Sequence, residues 1–277
     1  MDLVFSDIHA DIDALNTILE VASSKEFTTK YGSFSRIINL GDVLERGNHP
    51  KEVLSKIKSL EKSHPVMSVM GNHDEAFLYK RPVSGSTLQS WAAHSKLTEE
   101  DLAFFSKNND GTFGQQEFVD PKNNLFCVHG GPLDPKKITP KNAYDEAWLY
   151  QRSWQRLSEE DFEYFSYYGY HYTASSAFGE ATNHFHNCII LCGHQHTEAA
   201  IIQNKEIKDI FSSLKVTQEK TLRFVLSKRE IEIEPSCNYL IRFGLGGPSG
   251  YYGVGSPNPH FGIIQYNPKK ATLFTVE

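Results

Sequence analysis

Five short β-like runs, each halting just before a glycine, histidine or aspartate, constrain this chain more than any other feature. They are LVF before Asp7, RIINL before Gly41, VMSVM before Gly71, LFCV before His129 and CIILC before Gly193. Largely apolar runs of this length, bounded by turn residues, read as buried strands. In a doubly wound sheet the carboxyl ends of such strands converge on one face, where ligands sit. In the stretch INLGDVLERG, residues 38–47, the glycines let the backbone turn sharply and thrust Asp42 out at a strand edge.

The segments between the runs supply the helices of an α/β architecture. Asp11 is placed to cap a helix whose apolar positions Ile12, Leu15, Ile18, Leu19 and Ala22 recur at helical spacing. A polar loop through Lys30 is expected next. Pro50 then suits the first position of a helix carrying Val53, Leu54, Ile57 and Leu60. The alternation up to Gly71 predicts a parallel α/β beginning. Residues 75 to 108 read as helices, with Thr98 and Asp101 resembling a capping box. Runs at Gly114–Val119 and Leu125–His129, joined by the turn Pro121–Asn124, predict an antiparallel pair and hence a second sheet. Beyond His196 the expectation is a strand at Ala199–Gln203, then a charged helical or irregular stretch to Glu234. Strands at Tyr239–Phe243 and Gly262–Tyr266 follow, joined by a glycine-rich loop. No helix follows those glycines, so they are not read as a phosphate cradle.

Chemistry-bearing residues cluster at the five run ends: Asp7 and His9, Asp42, Asn72 with His73, His129, and His194 with His196. Carboxylates, one amide and several imidazoles form the ligand set of a hard-to-borderline transition-metal site. A carboxylate able to bridge, here Asp42, suits two ions about 3.5 to 4 Å apart.

The ordered series DIH, GDVLERG, GNHD, HGG and GHQH, from Asp7 to His196, resembles the calcineurin-like metallophosphoesterase superfamily. The resemblance implies an α/β fold of two stacked mixed β-sheets flanked by helices, as one domain over residues 1–277. It places Asp7, His9, Asp42 and His196 on one ion, and Asp42, Asn72, His129 and His194 on the other. It implies His73 near the leaving-group oxygen, Asp74 fixing the tautomer of His73, and Arg46 on a phosphoryl oxygen. The activity implied is hydrolysis of a phosphodiester or nucleotide-type substrate by attack of a metal-bridging hydroxide, with manganese, iron or zinc as the metals. A serine/threonine protein phosphatase or general phosphomonoesterase is the alternative, since GDVLERG and VHGG resemble that branch, and a phosphoprotein would then be the partner. A noncatalytic binding scaffold on the same fold is a remoter alternative, disfavoured by the presence of His73.

The insertion at residues 142–187 is dense in aromatics, among them Trp148, Tyr150, Trp154, Tyr168 and Tyr170, interleaved with Arg152 and Arg156. It reads either as a helical segment whose aromatics pack together or as a cap over the crevice. In the second reading Arg152, Arg156 and Tyr168 meet the substrate. His184 and His186 read as loop residues, His49 beside Asn48 reads as a helix-cap neighbour rather than a base, and His64, His94, His171 and His260 receive no role.

A net charge of -6 argues against a duplex nucleic-acid binder, though bound dications would invert the field locally for an anionic substrate. No apolar run approaches the roughly 18 residues of a membrane span. The first strand is expected at or near Met1, which leaves no room for a leader. Cys127, Cys188, Cys192 and Cys237 read as buried free thiols, which suits a reducing cytoplasm.

Overall fold

The computed structural model describes residues 1–81, 83, 85–105, 114–143, 145–158, 169–248 and 258–277. The chain begins β1 (Asp2–Phe5), α1 (Ile12–Ser23), α2 (Lys25–Tyr31), β2 (Arg36–Asn39), α3 (Pro50–Leu60) and β3 (Val66–Ser68). Three short helices follow, α4 (Asn72–Leu78), α5 (Leu88–His94) and α6 (Glu99–Leu102), then the hairpin of β4 (Glu117–Asp120) and β5 (Leu125–Val128). After α7 (Pro135–Ile138) come β6 (Arg156–Leu157), β7 (His171–Tyr172), α8 (Ala174–Ala181) and β8 (Ile189–Cys192). Among the described residues that remain, the elements are strands apart from one 3-10 turn: β9 (Ala199–Gln203), β10 (Ile207–Asp209), β11 (Thr217–Lys220), β12 (Val225–Glu232), β13 (Asn238–Arg242), β14 (His260–Tyr266) and β15 (Lys269–Val276).

Two mixed sheets result. The first runs β11-β12-β15-β14-β1-β2-β3 and the second β10-β9-β13-β8-β5-β4. Within them β1, β2 and β3 are mutually parallel, as are β5, β8 and β13. Side-chain alternation stacks the layers. Leu3 and Phe5 of β1 pack with α1, α2 and α3, whereas Val4 faces the second sheet. Likewise Leu125 and Cys127 of β5 enter the layer between sheets, while Phe126 and Val128 pack against α8. Fully burying one such aliphatic or aromatic side chain contributes about 1.5–3 kcal/mol.

Among the described residues the expected elements are present with several differences; the helical expectation at 75–108 is broken between Leu78 and Leu88, and its end at 106–108 and much of the glycine-rich loop lie outside the described residues. The polar stretch after α1 contains α2, because Ser24 caps it and Phe27 and Tyr31, one turn apart, pack against Phe274. The charged stretch to Glu234 holds β10, β11 and β12. The periodicity of β12 is disguised by Lys228, which is buried with its Nζ 2.6 Å from Glu219 and 3.0 Å from the Tyr31 hydroxyl. Of the expected helical insertion, the described residues hold a 3-10 turn at Ala147–Tyr150, α8 and the two-stranded β6-β7 pair. Leu149, Tyr150 and Trp154 form a cluster with Ala76 of α4, so these aromatics do pack among themselves. The four cysteines are free and buried, and among the described residues no helix is long and apolar enough to cross a membrane.

Arg36 on β2 binds the two sheets at one edge, donating to Asp2 at 2.5 Å and to Asp120 of β4 at 2.7 Å. Burial resists ionisation of Asp120, but hydrogen bonds from Asn123 and Arg36 together hold its carboxyl below the ordinary range. A depressed carboxyl pKa gives stability that is complete above the unfolded value and lost as pH falls through the folded one. Asp120→Asn is therefore expected to cost about 1–3 kcal/mol at neutral pH and to flatten the acid limb of stability. Urea denaturation at pH 7 and in mild acid checks both.

Candidate metal centre

The carboxyl ends of β1, β2, β3, β5 and β8 open on one crevice, and the loops leaving them are bonded to each other. The amides of Asp7, His9 and Ala10 donate to the carbonyls of Gly41, Asp42 and Val43 at 2.8–2.9 Å, and Gly193 donates to His129 at 2.8 Å. Asp7, His9, Asp42, His194 and His196 all have φ between 47° and 68°. Left-handed backbone costs a non-glycine residue about 1–2 kcal/mol, and such strain gathers where a site demands it. Close approach also explains two glycines. A Cβ on Gly71 would lie 2.0 Å from Asp42 Oδ1, and one on Gly193 would lie 1.8 Å from Ser6 Oγ and 2.5 Å from Asp7 Oδ2.

Each site carboxylate has one oxygen fixed by donors and the other turned inward. Asp7 Oδ2 accepts from the Ser6 hydroxyl at 2.5 Å and the His194 amide at 3.0 Å. Asp7 Oδ1 lies 3.1 Å from His196 Nε2 and 3.9 Å from His9 Nε2. Asp42 Oδ1 accepts from the His73 amide at 2.8 Å, and Oδ2 lies 3.2 Å from His129 Nε2 and 3.9 Å from His9 Nε2. The inward oxygens and His194 Nε2 are buried without a hydrogen bond. Buried polar atoms are rarely left so, and a coordinated cation would satisfy all three. His129 donates Nδ1–H to the Leu40 carbonyl at 2.6 Å, which leaves Nε2 to accept, 3.2 Å from Asn72 Oδ1.

Among the described residues two donor groups emerge, Asp7 with His9, Asp42 and His196, and Asp42 with His129 and His194. Asn72 Oδ1 stands beside the second. Asp42 belongs to both, so these residues could hold two ions that share one carboxylate. Burial holds His9 and His194 well below the ordinary imidazole value, which preserves the lone pairs that ligation requires. His129 goes the other way: burial would lower it, but the neighbouring Asp42 carboxylate pushes it up to about 9.

A cavity of about 120 Å³ lies over these donors, lined by Asp42, Arg46, Asn72, His73, Arg156, His194, Gln195 and His196. His73 Nε2 is 3.0 Å from the Arg46 guanidinium. Burial, aided by Arg46 against the opposing pull of Asp42, lowers His73 to about 3. Asp74 does not play the part expected of it. Its Oδ1 accepts from the amides of Val43 and Leu44 at 3.0 and 2.9 Å, and its Oδ2 from Gly71 at 3.2 Å. It holds the Asp42 loop rather than orienting His73, whose Nδ1 has no hydrogen-bond partner. Burial pushes the Asp74 carboxyl up to about 7.

Of the three substrate candidates, Arg156 lines the cavity and Tyr168 falls outside the described residues. Arg152 is directed elsewhere, 2.9 Å from Glu117 and over the Phe126 ring, while its carbonyl accepts from the amides of Gly130 and Gly131. Sequence reasoning missed several supports. His94 is buried and accepts the Glu45 amide at 2.7 Å on Nε2 while its Nδ1 meets the Ser90 carbonyl at 2.7 Å. It thereby braces Glu45 and Arg46, whose φ values are 65° and 68°. Gly246 and Gly247 donate to the carbonyls of Ser6 and Asp7, shoring up the first ligand turn from the glycine-rich loop.

Strand-end carboxylates and imidazoles on a two-sheet α/β sandwich form a donor set suited to a metal centre. The sequence profile of calcineurin-like phosphoesterases matches residues 3–198, and the chain belongs to that family of phosphoester hydrolases, which work through a dinuclear metal centre. An uncharacterized protein of Methanocaldococcus jannaschii is 34% identical over 80 residues, which span 29% of this chain and 28% of that protein. The fold is similar to a metallophosphoesterase of Sphaerobacter thermophilus, with TM-score 0.59 and 18% identity over 100% of this chain and 87% of that one. It is also similar to a hypothetical protein of Pyrococcus horikoshii, with TM-score 0.60 and 15% identity over 100% of this chain and 88% of that one.

Proposed function

We propose that this chain hydrolyses a phosphodiester or nucleotide-type substrate, using two ions held by Asp7, His9, Asp42 and His196, and by Asp42, Asn72, His129 and His194. The observation that supports it above others is the sharing of Asp42 between two donor groups beneath a cavity that also presents Arg46, His73 and Arg156. Manganese, iron or zinc suits nitrogen and oxygen donors without thiolate. Bound ions would supply an activated water and neutralise charge on the phosphoryl oxygens.

The chain's own residues do the rest. Arg46 offers a forked donor to a phosphoryl oxygen, and Arg156 offers a second cation from the insertion. His73 is the donor to the departing oxygen; a phosphoryl anion arriving beside it raises its proton affinity and counters the depression caused by burial and Arg46. At about 120 Å³ the cavity admits a phosphoryl group, whereas pockets for whole small-molecule ligands span roughly 300–1,000 Å³. The organic part of the substrate then projects toward the insertion, residues 142–187, which acts as a cap on a single domain.

The test is hydrolysis of an aryl phosphomonoester, an aryl phosphodiester and a dinucleoside polyphosphate by metal-stripped protein, with and without added Mn²⁺. Mn²⁺-dependent turnover favouring the diester or the dinucleotide is expected. Preference for the monoester would overturn the substrate class, and no turnover in protein carrying two ions would overturn the catalytic reading.

A further inference from the structure

Two glutamine side chains tie the insertion to the loops that carry His129 and the His194–His196 pair. Gln155 accepts from the Leu133 amide at 2.9 Å and donates to the Leu133 and Tyr150 carbonyls at 2.9 and 3.0 Å. Gln195 treats Leu157 in the same way, accepting its N–H at 2.9 Å and donating to its carbonyl at 3.1 Å. A carboxamide that meets both backbone groups of one residue stands in for a neighbouring strand. Gln195 is itself held, because Arg242 donates to its Oε1 at 2.7 Å while also binding the Thr197 carbonyl at 2.7 Å and hydroxyl at 3.0 Å.

The strand so gripped is β6, which consists of Arg156 and Leu157. Its other edge is bonded to β7, where Arg156 donates to the Tyr170 carbonyl at 2.8 Å and Ser158 to that of Tyr172 at 2.9 Å. A two-residue strand has little stability of its own. Its position therefore depends on being bonded on both edges, and Gln195 supplies one of them. Arg156 in that strand lines the cavity together with His194, Gln195 and His196.

We propose that Gln195 is a positioning residue that couples Arg156 to the metal-ligand loop, so that the guanidinium stands ready for a phosphoryl oxygen with little ordering left for the moment of binding. The inference rests on the reading of this cavity as a phosphoryl site. It makes the histidines of GHQH and the cation of the insertion parts of one unit, with the intervening glutamine as the connector.

The test is a double-mutant cycle on Mn²⁺-loaded protein, with inorganic phosphate as the probe and calorimetry as the readout. Methionine matches glutamine in length but cannot pair with Leu157. Arg156→Ala and Gln195→Met should each weaken phosphate binding by about 10-fold or more, the usual scale for a hydrogen bond to a charged group. Because one residue acts through the other, the double variant should be no weaker than Arg156→Ala, within about twofold. Both single variants should bind two ions, and both should raise KM for an aryl diester more than they lower kcat. Unchanged phosphate affinity in Gln195→Met, losses that multiply in the double variant, or loss of an ion from Gln195→Met would each overturn the inference. Failure of the hydrolase reading would show separately, as wild-type protein that binds two ions and turns over no ester, and the phosphate cycle would still be readable.

Discussion

Asp42→Asn is expected to lose both ions and at least about 10³-fold in turnover, since two-ion charge stabilisation supplies several kcal/mol of barrier lowering. The substitution preserves shape and even one hydrogen bond, because an amide oxygen at Oδ1 can still accept from the His73 backbone at 2.8 Å. It removes the charge on the oxygen 3.2 Å from His129 and 3.9 Å from His9, the one atom facing both donor groups. An amide nitrogen there would present hydrogens toward the imidazoles and repel a cation. Metal content by mass spectrometry, on protein dialysed against Mn²⁺, reads the first loss, and aryl diester hydrolysis reads the second. Two ions retained by the variant would defeat the bridging assignment.

The second large effect is expected at His73. His73→Asn should lower kcat by about 10²–10⁴-fold, the range for a positioned general acid, with both ions kept. Ion retention follows from geometry: it is the backbone amide of His73 that holds Asp42, whereas the side chain points at Arg46 across the cavity. A proton donor matters most when the leaving group is a poor one. The loss should therefore be steep for an alkyl ester and shallow for a nitrophenyl ester, and equal losses for both would remove His73 from the proton-donor role.

Local features told much of this in advance. Each of the five runs is a short β-like segment followed at once by its turn, so strand, strand end and donor lie within a few residues of each other. That is why the parallel beginning, the β4-β5 hairpin, the Asp11 cap, Pro50 at the first position of α3, and the donors gathered in the crevice could all be read locally. The missed strand β12 shows the limit. Lys228 breaks its apolar alternation, and only the approach of Glu219 and Tyr31 from other elements makes a buried lysine tolerable.

By itself, then, the sequence determined the family and the order of the strand ends that carry the candidate donors, because these reside in contiguous motifs. The tertiary structure alone decided how the remaining polar groups are used. Asp74 and His73 are adjacent in the chain, yet the Asp42 loop, some 30 residues away, takes one oxygen of the acid and the amide of Gly71 takes the other. Arg152 and Arg156 differ little in sequence context, yet Glu117 pairs with one away from the cavity while the other lines it. Such outcomes depend on which hydrogen-bonding groups packing brings together from distant parts of the chain, and no local pattern of residues encodes that meeting.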